Sequence, residues 1–276
     1  MVDGVSILLN RGECFGLVGV NNSGKSSLLE VLVGLLVPTG GGAYTAALSL
    51  GGDLRAWQQG IGYAPDGIFE EFVLPLTVGE FLDIMARLRG VTWRRQALLS
   101  ALALTGRLRE DQMINKCSHG ELKMLLIAAA AIGVPPVLLV DEPYSDVEPL
   151  YRNEIIRMLQ LLKGSQATSI VMTSHRMSHC EVLCDRVAVM EAGKIEALGD
   201  AIQMNQKYGR SYMVTLRLPQ EKRFDYYFQR CLIDLMQDEF HQCTFCHNYK
   251  ILITGVRPHN FLSGVPSRLD TGAKRQ

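Results

Sequence analysis

Four residues at fixed spacing carry the first sign of chemistry: Gly19, Gly24, Lys25 and Ser26, in the pattern G-x-x-x-x-G-K-S. The two glycines let the backbone curl so that successive N–H groups converge on an anion, and a helix opening at Lys25 adds its positive dipole end. Lys25 supplies a compact positive charge for β and γ phosphates, and the Ser26 hydroxyl is placed to ligate magnesium. Phosphate contacts are therefore expected along Gly19, Asn21, Asn22, Ser23, Gly24, Lys25, Ser26 and Ser27. A magnesium nucleotide site also needs a carboxylate at a strand end. Val137-Leu138-Leu139-Val140 delivers Asp141 to hold magnesium and Glu142 to polarise a water. ATP and Mg²⁺ are the expected ligands.

Positioning these groups takes a particular set of elements. Cys14 to Val18 reads as a buried strand, and Leu28, Leu29, Leu32, Leu35 and Leu36 recur at helical spacing after the loop. Strand, glycine loop and helix in that order are the context in which this motif binds phosphate. The stretch between Lys25 and Asp141 is too long for one crossover, so a substantial insertion lies between them. Val78, Phe81, Leu82, Met85 and Leu88 mark one helix in it, and a second runs from about Trp93 to Leu104. Its last helix begins with a capping box, Ser118 and Glu121, ahead of Leu122 to Ile132. After Gly199, a strand at Tyr212 to Leu218, a helix around Asp225 to Met236 and a strand at Tyr249 to Thr254 form a small α+β unit. Residues beyond Gly255 read as a disordered tail.

Composition excludes several classes. A length of 276 residues with 47% hydrophobic and 20% charged residues is a folded chain, not a disordered or fibrous one. Lys plus Arg (28) equals Asp plus Glu (28), so no net field draws nucleic acid. The longest uncharged run, Met124 to Val140, is broken by Gly133, Pro135 and Pro136 and reads as a buried helix and strand rather than a membrane span. Seven cysteines in so long a chain fit reduced thiols and no disulfide framework. Cys243-Thr244-Phe245-Cys246-His247, with His241 nearby, matches haem-attachment and zinc patterns. Four ligands packed into so few residues rarely close a tetrahedron, and the segment reads as a loop with unpaired thiols.

These segments resemble the ATP-binding cassette (ABC) ATPases, most nearly the nucleotide-binding domain of the A subfamily of lipid-associated transporters. The likeness runs through Gly12 to Gly19, Pro38 to Gly42, Ile61 to Pro65, Leu76 to Glu80, Ala86 to Gly90 and Thr173-Ser174-His175. It implies an α/β P-loop NTPase of ABC type, with a RecA-like parallel-sheet core, an inserted helical subdomain and a small C-terminal α+β unit. The implied boundaries are a nucleotide-binding domain over 1–204, with its helical subdomain at about 72–132, a regulatory-like domain over 205–255 and a tail over 256–276. His175 takes the family's place of the residue that contacts the γ phosphate. Catalysis then falls to Lys25, Glu142 and His175. The resemblance also implies partners: transmembrane domains, in the same or another chain, and a second nucleotide-binding domain closing on two ATP molecules, on the cytoplasmic face of a membrane. Nucleic acid is not among them.

Departures from the family pattern are chemical. Asp66 stands where the family carries the glutamine that reaches magnesium and water. The signature Leu-Ser-Gly-Gly-Gln becomes Cys117-Ser118-His119-Gly120-Glu121, in which Ser118 and Gly120 would face a partner's nucleotide. The acid before Pro149 is Glu148 rather than aspartate. Two readings follow: an ATPase that powers transport, and a regulatory half-site that binds ATP and hydrolyses little.

Overall fold

The structure is a computed structural model that describes residues 2–45, 48–67, 75–165, 167–208, 211–215, 243–246 and 250–254, with side chains as far as Met204 apart from Arg94 and Leu98. The chain divides at Ala201/Ile202 into two compact units.

The first unit is built on a six-stranded sheet in the order β2-β3-β4-β1-β5-β6. Its strands are β1 (Cys14–Val18), β2 (Ile61–Ala64), β3 (Val137–Val140), β4 (Ser169–Ser174), β5 (Arg186–Glu191) and β6 (Lys194–Asp200). All pairings are parallel except β5 with β6. The central strands β1 and β4 are buried along their whole length, as apolar parallel strands covered on both faces must be.

Helices follow the strands in chain order: α1 (Lys25–Val33), α2 (Leu54–Gln59), α3 (Val78–Leu88), α4 (Arg94–Thr105), α5 (His119–Ala131), α6 (Pro149–Gly164) and α7 (Met177–Glu181). Phe15, Leu17, Leu29, Trp57, Ile61, Leu139, Val171, Ala188 and Met190 form a core beneath the first strand and helix. Burying each large side chain of this kind stabilises the fold by about 1.5–3 kcal/mol. Lys25, which opens α1, is thereby seated on the same rigid base as β1.

The leucine period after the loop overestimates the first helix. α1 stops at Gly34, whose backbone has φ 83° and whose N–H caps the carbonyls of Glu30 and Val31. A Cβ there would lie 2.5 Å from Leu54 Cδ1, so the turn requires glycine. Leu35 and Leu36 lie beyond it and are exposed.

The insertion between β2 and β3 is helical, with α3, α4 and α5 packed on one another. Both α3 and α5 open with complete capping boxes, Thr77 with Glu80 and Ser118 with Glu121. The second unit has α8 (Ala201–Tyr208) at its start, followed by β7 (Ser211–Thr215), β8 (Cys243–Cys246) and β9 (Lys250–Thr254) in an antiparallel sheet ordered β7-β9-β8, so Cys243–Cys246 is a strand paired with β9 and not the expected loop. The expected helix at Asp225 to Met236, residues Leu216 to Leu218, His241, His247 and the tail over 256–276 lie outside the described residues.

Candidate functional site

The three adjacent strands β3, β4 and β1 end together, and ligands of open α/β sheets sit beyond such carboxyl ends. Val140 pairs with Met172 and Val18 with Ser174. The residues that follow, Asp141 and Glu142 from β3, His175 from β4 and the Gly19 loop from β1, therefore emerge side by side.

The loop is closed tightly. A Cβ on Gly19 would lie 2.2 Å from the Met190 carbonyl oxygen and 2.6 Å from Ser23 Oγ, so only glycine fits. Asn22 (φ 65°) and Gly24 (φ 106°) both take left-handed backbone conformations at the turn into α1. Ser23 is buried, and its Oγ is one of three buried side-chain polar atoms without a partner among the described residues. Asn21, Asn22 and Ser26 are exposed, and Ser27 is half-buried. Lys25 is buried; its ammonium donates to the carbonyls of Gly19 (2.8 Å) and Val20 (3.1 Å) and lies 3.8 Å from Glu142 Oε1. Burial lowers its pKa, against the pull of Glu142, Asp141 and Asp66.

Glu142 is gripped from several sides. His175 Nδ1 lies 3.0 Å from its Oε2. Burial alone would push the carboxyl up, but the His175 bond and charge, with Lys25 close by, hold it below the usual carboxylate range. Its backbone is left-handed, φ 44°, a conformation that costs a non-glycine residue about 1–3 kcal/mol. Thr173 Oγ1 accepts from the Glu142 N–H (2.8 Å) and donates to Asp141 Oδ1 (2.5 Å). Asp141 is itself buried.

Two flanking groups join the cluster from the helical insertion. The buried Lys123 on α5 donates to Asp66 Oδ1 at 2.6 Å and to the Glu142 carbonyl at 3.4 Å. Asp66 thus meets Glu142 through a shared ammonium. Ser118 and Gly120 lie at the start of α5 and make no hydrogen bond to Lys25, Asp141 or Glu142 among the described residues. The Ser118 hydroxyl is spent on the Glu121 N–H, while Glu121 Oε2 accepts from Ser118 N (2.8 Å) and Gln112 Nε2 (3.3 Å), which turns its charge inward. Gly120 is buried against Tyr151 of α6, where an added Cβ would lie 2.5 Å from the ring.

The arrangement therefore brings Lys25, Asp141, Glu142 and His175 to one place at the strand ends. An anion fits here: the Gly19 cradle excludes a side chain, Ser23 Oγ lacks a partner, and Lys25 provides the charge. The oxygen donors of Asp141 and Ser26 suit a hard cation such as magnesium, which takes one or two carboxylates and otherwise phosphate and water. Thr173 and Lys123 were not singled out by sequence reasoning. A lone lysine within the apolar run of α5 is the signal that could have found the second.

The profile of the ABC transporter family matches residues 2–145. The chain belongs to the ABC transporter family. It is 36% identical over 227 residues to ATP-binding cassette sub-family A member 2 of Rattus norvegicus, a match that covers 78% of this chain and 9% of that protein. To the phospholipid-transporting ATPase ABCA3 of Mus musculus it is 32% identical over 227 residues, 81% of this chain and 13% of the relative. The chain thus spans about a tenth of the length of these curated relatives. Among solved structures, the fold resembles the ATP-binding subunit of an ABC transporter (TM-score 0.64, 23% identity, covering 74% of this chain and 85% of that one). It also resembles a dimeric ATP-binding cassette bound to ADP and Pi (TM-score 0.63, 22% identity, covering 72% and 90%). Among the described residues, no helix of this family member is long and apolar enough to cross a membrane.

Proposed function

We propose that the chain is the nucleotide-binding domain of a lipid-moving ABC transporter and that it hydrolyses ATP with magnesium. The observation that carries this reading is the meeting of the Glu142 carboxylate with His175 at 3.0 Å and Lys25 at 3.8 Å beside the Gly19 loop. In this reading the loop amides and Lys25 neutralise the triphosphate. Ser26 and Asp141 would hold magnesium, which when bound supplies positive charge to the β and γ oxygens. Glu142 orients the attacking water and takes its proton as the oxygen bonds to the γ phosphorus and the bond to the β–γ bridging oxygen breaks, releasing ADP. His175 fixes the Glu142 carboxylate and turns its ring toward the γ phosphate.

The remaining assignments belong to the same reading. Residues 1–204 form the nucleotide-binding domain, with the helical subdomain at about 72–132, and 205–255 form a regulatory-like appendage. Asp66 belongs to the nucleotide site, Ser118 and Gly120 serve the nucleotide of a second cassette, and transmembrane domains of the same or a partner chain complete the transporter, with this domain on the cytoplasmic face. The names of the relatives, phospholipid-transporting ATPase among them, support lipid as the cargo class.

Phosphate release by the purified chain, alone and mixed with a cassette of intact signature, tests this. Release that needs Glu142 of this chain supports the proposal. Tight ATP binding with release only from the partner's site would make the chain a regulatory half-site.

A further inference from the structure

We propose that Thr173 is a positioning residue for Glu142, and that the left-handed backbone placing the Glu142 carboxylate between His175 and Lys25 depends on the Thr173 hydroxyl. The inference rests on the reading of Glu142 as the general base.

Glu142 adopts φ 44°, a region that residues with a side chain avoid unless their surroundings impose it. The surroundings here are specific. The Thr173 side chain is fully buried at the end of β4, next to β3 in the sheet. Its single hydroxyl has one proton to donate and goes to Asp141 Oδ1. That leaves a lone pair for the Glu142 N–H, 2.8 Å away. One oxygen therefore fixes the side chain of one acid and the main chain of the next. On the other side of the same residue, Lys123 reaches the carbonyl at 3.4 Å.

Without the hydroxyl the buried Glu142 N–H loses its acceptor, and the cheapest relief is rotation of the Asp141–Glu142 peptide toward an ordinary conformation. A rotation there swings the carboxylate away from His175. ATP contacts made by the Gly19 loop and Lys25 would be unaffected, because none of them runs through Thr173.

The test uses the 276-residue chain. Thr173→Val keeps the shape and removes both bonds; Thr173→Ser keeps the hydroxyl. Thr173→Val is expected to lower kcat for ATP hydrolysis about 100-fold, with calorimetric affinity for magnesium-free ATP held within about threefold, because Thr173 also bonds Asp141 and only the magnesium-free contacts of the Gly19 loop and Lys25 bypass it, while Thr173→Ser stays within about fivefold of wild-type kcat. In a Glu142→Gln background, adding Thr173→Val should cost nothing further. Equal damage from Ser and Val, or kcat and magnesium-free ATP affinity falling together, would overturn the proposal.

A second arm needs no turnover. In nucleotide-free protein, hydrogen exchange at the Glu142 amide is expected to rise about tenfold or more in Thr173→Val and not in Thr173→Ser. Unchanged exchange overturns the clamp. A wild-type chain that does not hydrolyse ATP removes the base role of Glu142 but leaves this exchange arm to decide the clamp.

Discussion

His175 Nδ1 and Glu142 Oε2 lie 3.0 Å apart, although 33 residues separate them in the chain. The contact exists because β3 and β4 are neighbours in register, so the residues leaving their ends emerge together. With Lys25 on the other oxygen, the carboxylate is held ionised and aimed before any substrate arrives. Preorganisation of this kind is where enzymes find much of their rate.

Lys25 should matter for binding far more than for folding. Its ammonium bonds the backbone carbonyls of Gly19 and Val20 and pairs loosely with Glu142 at 3.8 Å, and burial works against its charge. Lys25→Met is expected to leave the thermal midpoint near that of wild type while weakening ATP affinity about 10- to 100-fold, the worth of one charge-assisted bond. Calorimetry paired with a melting curve measures both.

The Asp66–Lys123 pair should respond asymmetrically. Lys123 is buried and Asp66 is 42% exposed, so removing the acid strands a buried ammonium, whereas removing the lysine leaves an acid that water can reach. Asp66→Ala is expected to cost about 1–2 kcal/mol in urea denaturation, after discount for the exposure of the acid, and Lys123→Met less than Asp66→Ala. The reverse order would show that the pair does not act as drawn.

Gly120 should tolerate no side chain even without a partner. Its Cα packs on the Tyr151 ring, so Gly120→Ala is expected to destabilise the chain by about 1–3 kcal/mol, as overpacked cores do. In a Tyr151→Gly background, which removes the Cβ at 2.6 Å as well as the ring, the same change should cost less. A double-mutant cycle by chemical denaturation reads the coupling.

Acid should weaken the fold through His179. Burial first, then the charge of Arg176, holds its pKa down to about 4 against an ordinary 6.5. The unfolded chain takes up this proton near pH 6.5 and the folded one only near 4, so stability falls as pH drops through that window. Glu142, with its pKa depressed, adds a loss in the same direction at lower pH, below its ordinary value of 4.5. Denaturation midpoints for His179→Gln should decline less between pH 7 and pH 4.5 than those of wild type.

Much of this was legible in the sequence, for identifiable reasons. The strands Cys14–Val18 and Val137–Val140 begin and end where their apolar runs do, because a strand buried on both faces is mostly apolar and here its end is marked by the first loop glycine or acid. The capping box of α5 follows from Ser118 and Glu121 alone. What stayed hidden depends on contacts distant in sequence. The leucine spacing runs past Gly34, since nothing local announces that Leu54 crowds it. Gly120 reads as a residue facing a partner's nucleotide, and nothing in the sequence announces that it also packs on Tyr151 within its own chain. Thr173 is visible as part of a motif, but its link to Asp141 and Glu142 arises only when β4 lies against β3.

Whether this chain holds ATP at Lys25 and cleaves it with Glu142 is decided by comparing wild type with Glu142→Gln for ATP affinity and phosphate release on the same preparations. The predicted result is affinity unchanged within about threefold and release reduced by about 100-fold or more, the loss expected when a general base is removed. Equal release from the two proteins, or no ATP binding by either, would contradict it.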